Sequence, residues 1–306
     1  MLLTSGLLFA LSFIVNKFFQ RMKPYGETAS MFYLFIGKAF ASALFSLCVV
    51  SEGNICYAFG NKYTVLTGIL QTLLNIVIML FGIKVLSVVS VSLHTTFLMI
   101  GGMALPVLFG TIFLQEEITV LRLIAFIAIT ASIIISATGE KQKITVKAVA
   151  YLLIIFAANG AIGILTLIHS NLSGKDISFN SYMFSTSFIC TALTLPACFL
   201  LKKREERSIP KIYLFSPVGK SFSTKKELIF YYISPALSGI LNGLANLLIV
   251  TGTATEGIGA TATYPLSTGG TILFTSLLSL VLYKEKLELK KIIGLVLIIL
   301  ALIAFL

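Results

Sequence analysis

The sequence is short of charge. Of its 306 residues only 11% are Asp, Glu, Lys or Arg, while 57% are hydrophobic and the mean hydropathy is +0.99. A water-soluble domain needs roughly 25% charged residues to cover its surface, so this chain is not one. Four cysteines and two histidines leave little room for metal or redox chemistry. Cys190 and Cys198 would stand two helical turns apart, roughly 12 Å, too far for a disulfide. Cys48 and Cys56, beside an expected outer loop, allow either a disulfide or apolar filler. No metal-ligand spacing occurs, and neither His94 nor His169 has a ligand type beside it. The "GKS" at Gly219 lacks the glycine that a Walker loop requires five positions earlier, where Leu214 stands.

Long apolar runs fill the space that charge leaves. Runs of about 18 or more residues are the mark of membrane-spanning helices. Ten are expected, at about 2–20, 29–50, 64–83, 87–114, 120–138, 146–168, 179–201, 230–252, 258–283 and 289–306. A helix satisfies its own backbone in lipid, and the period-2 alternation of a membrane β-barrel is absent. The expectation is an all-α integral membrane protein. The first run has no basic flank and no small-residue cleavage site, so it reads as a retained helix rather than a signal peptide.

The net charge of +11 is distributed unevenly. Odd-numbered connections hold 19 Lys and Arg, while even-numbered connections and the termini hold 3; Lys38 lies inside a span. That is a positive-inside bias. It places the odd connections in the cytoplasm, among them the basic loop 202–227, and both termini outside a cell membrane. The charge suits anionic lipid headgroups rather than nucleic acid.

The chain also repeats itself. "TGILQTLLNI" at Thr67–Ile76 is echoed by "SGILNGLANL" at Ser238–Leu247, so that at a shift of 171 Gly68, Gln71 and Asn75 fall on Gly239, Asn242 and Asn246. At a shift of 169, Gly101 meets Gly270, Glu116 meets Glu285 and Arg122 meets Lys291. "YLFIGKAFASALF" from Tyr33 runs beside "YMFSTSFICTALT" from Tyr182. Two five-helix halves follow, 1–143 and 144–306. Because five is odd, the second half enters the membrane inverted, the arrangement that carriers use to alternate access to a midplane site.

These features resemble the drug/metabolite transporter superfamily, in its ten-helix EamA-type members. They are the five-plus-five pattern, "NKFF" at Asn16–Phe19 with Pro24 after it, a basic residue in span two, and the helix restarts "EEITVLRLIAF" and "EKLELKKIIGL". "YPLSTGG" from Tyr264 is similar to the last core helix of small multidrug resistance relatives. The resemblance covers the whole chain and implies secondary transport, typically export, of amino acids, other metabolites or drug-like solutes, with no cofactor. It departs in several respects: the proline expected about fourteen residues before each Glu is replaced by Gly102 and Thr271, and termini often drawn in the cytoplasm are placed outside by the charge count here. No acid lies inside span one, so the carboxylate chemistry of small multidrug exporters does not carry over.

Candidate substrate contacts follow from polarity at membrane depth, which is costly against lipid. Gln71, Asn75, Asn242 and Asn246 form two amide pairs at helical spacing, either lining one cavity or bonding helix to helix. Lys38 offers a cation for an anionic group, or snorkels to the headgroups. His94 is the only histidine expected well inside a span, as a proton relay or a satisfied packing group. Tyr264, Ser267 and Thr268 share a face of span nine expected to lie opposite His94, and Asn159 begins a polar stripe with Gly163 and Thr166 on span six. Glu116 and Glu285 read as helix caps or ion-pair partners. The nearly wholly apolar spans five and ten suit lipid contact or the seam of a homodimer. Two other classes stand beside the carrier: a non-transporting sensor or assembly protein, and an intramembrane enzyme, for which the sequence offers no nucleophile and base pair.

Overall fold

The computed structural model describes residues 1–21, 27–51, 57–86, 91–137, 145–172, 178–206, 225–255, 258–283 and 289–305. Among them the only regular structure is helical. Ten long helices coincide with the ten apolar runs: α1 (Leu2–Arg21), α2 (Glu27–Ser51), α4 (Lys62–Leu86), α5 (Val91–Phe113), α6 (Val120–Ala137), α7 (Val146–Leu172), α8 (Phe179–Glu206), α9 (Lys225–Thr253), α10 (Gly259–Tyr283) and α11 (Leu289–Phe305). The single turn α3 (Tyr57–Gly60) precedes α4.

Local chemistry explains where the helices begin. An oxygen-bearing side chain just ahead of a helix can accept from the free N–H groups of its first turn. Asn61 does so for Tyr63 (2.8 Å), Thr119 for Arg122 (3.3 Å), Thr145 for Ala148 (3.3 Å) and Ser178 for Ser181 (3.2 Å). These caps start α4, α6, α7 and α8. Within the helices, hydroxyls bond back one turn, as Thr72 does to the Gly68 carbonyl at 2.8 Å. A threonine thus satisfies its hydroxyl without water.

Six helices are long and apolar enough to cross a membrane: α2, α4, α5, α7, α8 and α9. Apolar stretches in α1, α6 and α11 are shorter, 10–17 described residues. Large apolar side chains also cover the outside, including Leu47, Phe113, Val120, Leu200 and Ile303, each more than half exposed. Water would not tolerate so continuous an apolar exterior. The molecule is built to be embedded in a membrane.

The interior is held by close approach rather than by bulk. Lipid tails are as apolar as leucine, so helices in a membrane associate through small residues that let backbones touch. A methyl added to Gly239 of α9 would strike the Gly37 carbonyl of α2, and one on Gly101 of α5 would strike the Phe156 carbonyl of α7. A methyl on Gly6 of α1 would lie 2.8 Å from the Gly270 carbonyl carbon of α10, and one on Gly68 of α4 would lie 2.7 Å from Ile189 of α8. The main packing pairs are α1 with α9 and α10, α7 with α4 and α5, α2 with α8 and α9, α8 with α4, α5 with α10, and α6 with α11. Each joins a helix before residue 138 to one after residue 144, so the two sequence halves interleave.

At one end Glu27, the first residue of α2, pairs with Lys84 near the end of α4 (3.7 Å) and Arg204 near the end of α8 (3.8 Å). Elsewhere the Glu116 carboxylate, just beyond α5, accepts from the Ala260 and Thr261 amides, both at 2.9 Å. It caps α10 from another part of the chain, in contact with Gly259, whose φ of +58° lets the backbone turn into the helix.

Gly239→Ala is expected to cost about 1–3 kcal/mol through overpacking against backbone, read as a lower melting temperature in detergent. Gly60→Ala, whose methyl meets nothing within 4 Å, is the neutral control.

Candidate functional site

The two amide pairs lie at mid-helix and turn inward. Nine residues span about two and a half helical turns, so residues nine apart face opposite ways. Asn75 is placed so relative to exposed Leu66, Asn242 relative to exposed Ile233, and Asn246 relative to exposed Leu237. The two helices that carry them, α4 and α9, do not pack substantially on one another; they are joined through α2, α7 and α8.

Their hydrogen bonds differ. Gln71 donates through Nε2 to the Tyr182 hydroxyl (2.6 Å) and to Thr166 Oγ1 (3.2 Å), tying α4 to α8 and α7. Asn75 donates through Nδ2 to the Gln71 carbonyl at 2.8 Å. Asn246 donates through Nδ2 to the carbonyl and to Oδ1 of Asn242, both at 2.8 Å. Asn75 Oδ1, Asn242 Nδ2 and Asn246 Oδ1 have no bond among the described residues, and none is sealed inside the protein. Gln71 is therefore committed to packing, and the asparagines retain capacity for a solute.

Two tyrosines organise the polar interior. Tyr182 of α8 is fully buried; besides Gln71 it has Thr67 within hydrogen-bonding reach and the His169 ring stacked on it, centroids 3.7 Å apart and planes at 10°. Tyr33 of α2 donates to Asn16 Oδ1 of α1, with Ser238 of α9 in reach and the Phe19 ring 4.5 Å away. Ser238 in turn donates to Asn16 Oδ1 at 3.1 Å, and its Oγ lies 2.8 Å from Ser12 Oγ.

His169, expected just beyond the edge of span six, lies in the last turn of α7. Helix α7 runs to Leu172, beyond the expected edge at residue 168, and His169 is 1% exposed with both ring nitrogens unbonded among the described residues. His94 lies against Gly82 of α4 with a sealed, unbonded Nε2, whereas Tyr264 donates from α10 to the Gly163 carbonyl of α7 at 2.9 Å. The two therefore turn toward different helices. Ser267 is buried and accepts from Ser5 of α1 at 2.7 Å, a helix-to-helix bond; Thr268, half-buried, makes none among the described residues. Asn159 donates to the Leu98 carbonyl at 2.7 Å and abuts Gly102, joining α7 to α5. Lys38 is half-buried near the midpoint of α2. Glu116 acts as a cap, one of its two expected roles, but on a helix of the other half. Glu285 and Cys56 lie outside the described residues, as does most of the loop 202–227.

Among the described residues no group of three His, Cys, Asp or Glu side chains is placed to hold a metal ion. No family model and no curated protein matches the sequence. The chain superposes on a protein of known crystal structure with a TM-score of 0.66 over 98% of its own length and 93% of the other chain, at 14% identity. This likeness extends to the whole helical arrangement, and it is a likeness of fold.

Tyr182→Phe removes the oxygen that accepts from Gln71 and is expected to cost about 0.6–2 kcal/mol in detergent. Glu116→Ala, which strips the cap from α10, is expected to cost about 0.5–2 kcal/mol. Thermal unfolding of each variant measures both.

Proposed function

We propose that this chain is a secondary carrier with ten membrane spans in two inverted five-helix halves, moving a small polar solute by alternating access to a site at mid-depth. The observation that carries the reading is the pair of asparagine faces on α4 and α9. They stand at mid-helix, turned from the apolar exterior, on helices that do not close on each other.

The packing supports the repeat. Exchange α1 with α7, α2 with α8, α4 with α9, α5 with α10 and α6 with α11, and the main packing pairs map onto one another. The registers agree as well. Contact of Gly6 with Gly270 corresponds to contact of Phe156 with Gly101, at shifts of 150 and 169. Contact of Gly37 with Gly239 corresponds to contact of Thr186 with Gly68, at shifts of 149 and 171. Around the tyrosines, Asn16, Phe19, Tyr33 and Ser238 correspond to Thr166, His169, Tyr182 and Thr67.

Inversion is supported by three end-to-start meetings of equivalent helices. Glu27 at the start of α2 pairs with Arg204 near the end of α8. Glu116 after α5 caps the start of α10. Ser132, late in α6, donates to the Gly294 carbonyl early in α11 at 2.8 Å. The first of these involves no residue that the sequence comparison had paired. The Lys and Arg bias favours a cell-membrane orientation with both termini outside, and the Glu27 cluster gathers three odd-numbered connections at one end, as that orientation requires.

The resemblance to EamA-type carriers points the same way, toward an exporter or exchanger of a metabolite, amino acid or drug-like solute. With no Walker loop in the sequence, a gradient or an exchanged solute supplies the energy. The test is counterflow in proteoliposomes over a panel of labelled metabolites. Saturable uptake is expected, reduced about tenfold or more in Asn75→Ala and Asn246→Ala, if each amide contributes a bond worth about 1.4 kcal/mol. Binding without flux of any solute would instead favour the sensor reading.

A further inference from the structure

Lys38 stands where a cation has no protein reason to be. It is one residue from the midpoint of α2, eleven residues or about 16 Å from Glu27 and farther from headgroups than a lysine side chain spans. Its neighbours one turn away, Leu34, Ala41 and Ser42, are buried, while Leu47, nine residues on and so on the opposite face, is 71% exposed. Snorkelling through lipid is thus closed to it by both depth and direction.

Nor does any described group neutralise it. Lys38 has no hydrogen bond or ion pair among the described residues, and its Nζ is not sealed. In no described helix does an Asp or Glu lie deeper than the terminal turn, so no described carboxylate shares its depth. Buried charges are ordinarily paired. Among the described residues that partner is missing, and a bound anion would supply it.

Its surroundings join it to both asparagine faces. Gly37, the adjacent residue, touches Gly239 of α9, and Asn242 stands one turn beyond Gly239. On the other side Lys38 is within electrostatic reach of Cys190 of α8, whose thiol contacts Thr72 of α4, one turn before Asn75. One ammonium beside neutral amides supplies a single positive charge, and no arginine lies inside any described helix beyond its terminal turns. Doubly charged phosphate groups call for more than one cation or a guanidinium fork.

We propose that the solute is a small organic monoanion, held by its carboxylate against Lys38 Nζ between the asparagines of α4 and α9. This rests on the carrier reading and adds the substrate class to it. A lipid headgroup would have to descend to the bilayer centre, so the anion is taken from water.

The experiment is thermal unfolding of the purified full-length chain in a neutral detergent, at equal ionic strength set with chloride. Lactate and pyruvate are compared with lactamide, inorganic phosphate and added phosphatidylglycerol. The wild type is expected to gain several degrees with lactate or pyruvate and none with lactamide, as a ligand that binds the folded state requires. Lys38→Met, which keeps length and removes charge, is expected to unfold at or above the wild-type temperature without ligand and to lose the gain; Lys38→Arg retains part of it. Equal gains from lactamide and lactate, a gain that survives Lys38→Met, a gain from phosphatidylglycerol or phosphate alone, or no gain from any carboxylate would each overturn the proposal. Flux of a neutral solute in the liposome assay would leave the carrier standing without its anion, whereas absence of all flux would remove the carrier itself.

Discussion

Backbone-to-backbone contact at glycine is the constraint on which the rest of this structure depends. In lipid there is no hydrophobic gain from bringing one leucine-rich helix against another, so affinity must come from intimacy of fit. The crossing of α2 and α9 at Gly37 and Gly239 is the tightest statement of this, since not even a methyl fits there. Where two helices come so close, the side chains one turn away are brought within reach of each other. Tyr33, one turn before Gly37, and Ser238, next to Gly239, come within reach for that reason, and Ser238 also meets Asn16 and Ser12 of α1. The glycines thus set the positions of the polar groups, and the polar groups then fix the rotation of each helix.

The polar groups divide into those spent on assembly and those left over. Gln71, Tyr182, Thr166, Ser267 and Asn159 all bond from one helix to another. Asn75, Asn242 and Asn246 bond only within their own helices and retain free amide atoms. The distinction matters because a hydrogen-bonding atom inside a membrane protein is expensive to leave open unless water or a solute reaches it.

Much of the architecture was legible in the sequence. Apolar run length gave the helices, since a chain in lipid has few alternatives; the caps at Asn61, Thr119, Thr145 and Ser178 that fix four of the starts were not read from it. The amide echo between α4 and α9 was visible because both copies kept polar residues at one spacing. The proposed equivalence of α1 with α7 was not, because it would set Asn16 and Phe19 against Thr166 and His169, side chains matched in place rather than in type. His169 was missed because, next to the end of an apolar run, it reads as a boundary residue, and its burial and stacking on Tyr182 reveal it as interior. Which amides are committed also escaped the sequence. Gln71 and Asn75 look alike one turn apart, and only the partners on α7 and α8 separate them.

The Glu116 cap has a mechanical meaning. Its carboxylate holds two amides of α10 at once, in a pocket where Gly259 leaves space for it. Such charge-assisted bonds are shorter and stronger than neutral ones, and any hydrogen bond weakens steeply once its angle is lost. A spring would yield in proportion to the pull; this contact resists until both bonds fail together, then offers nothing further. Motion of α10 away from the α5–α6 turn would accordingly cost both bonds in one step at its outset, rather than a little at every stage.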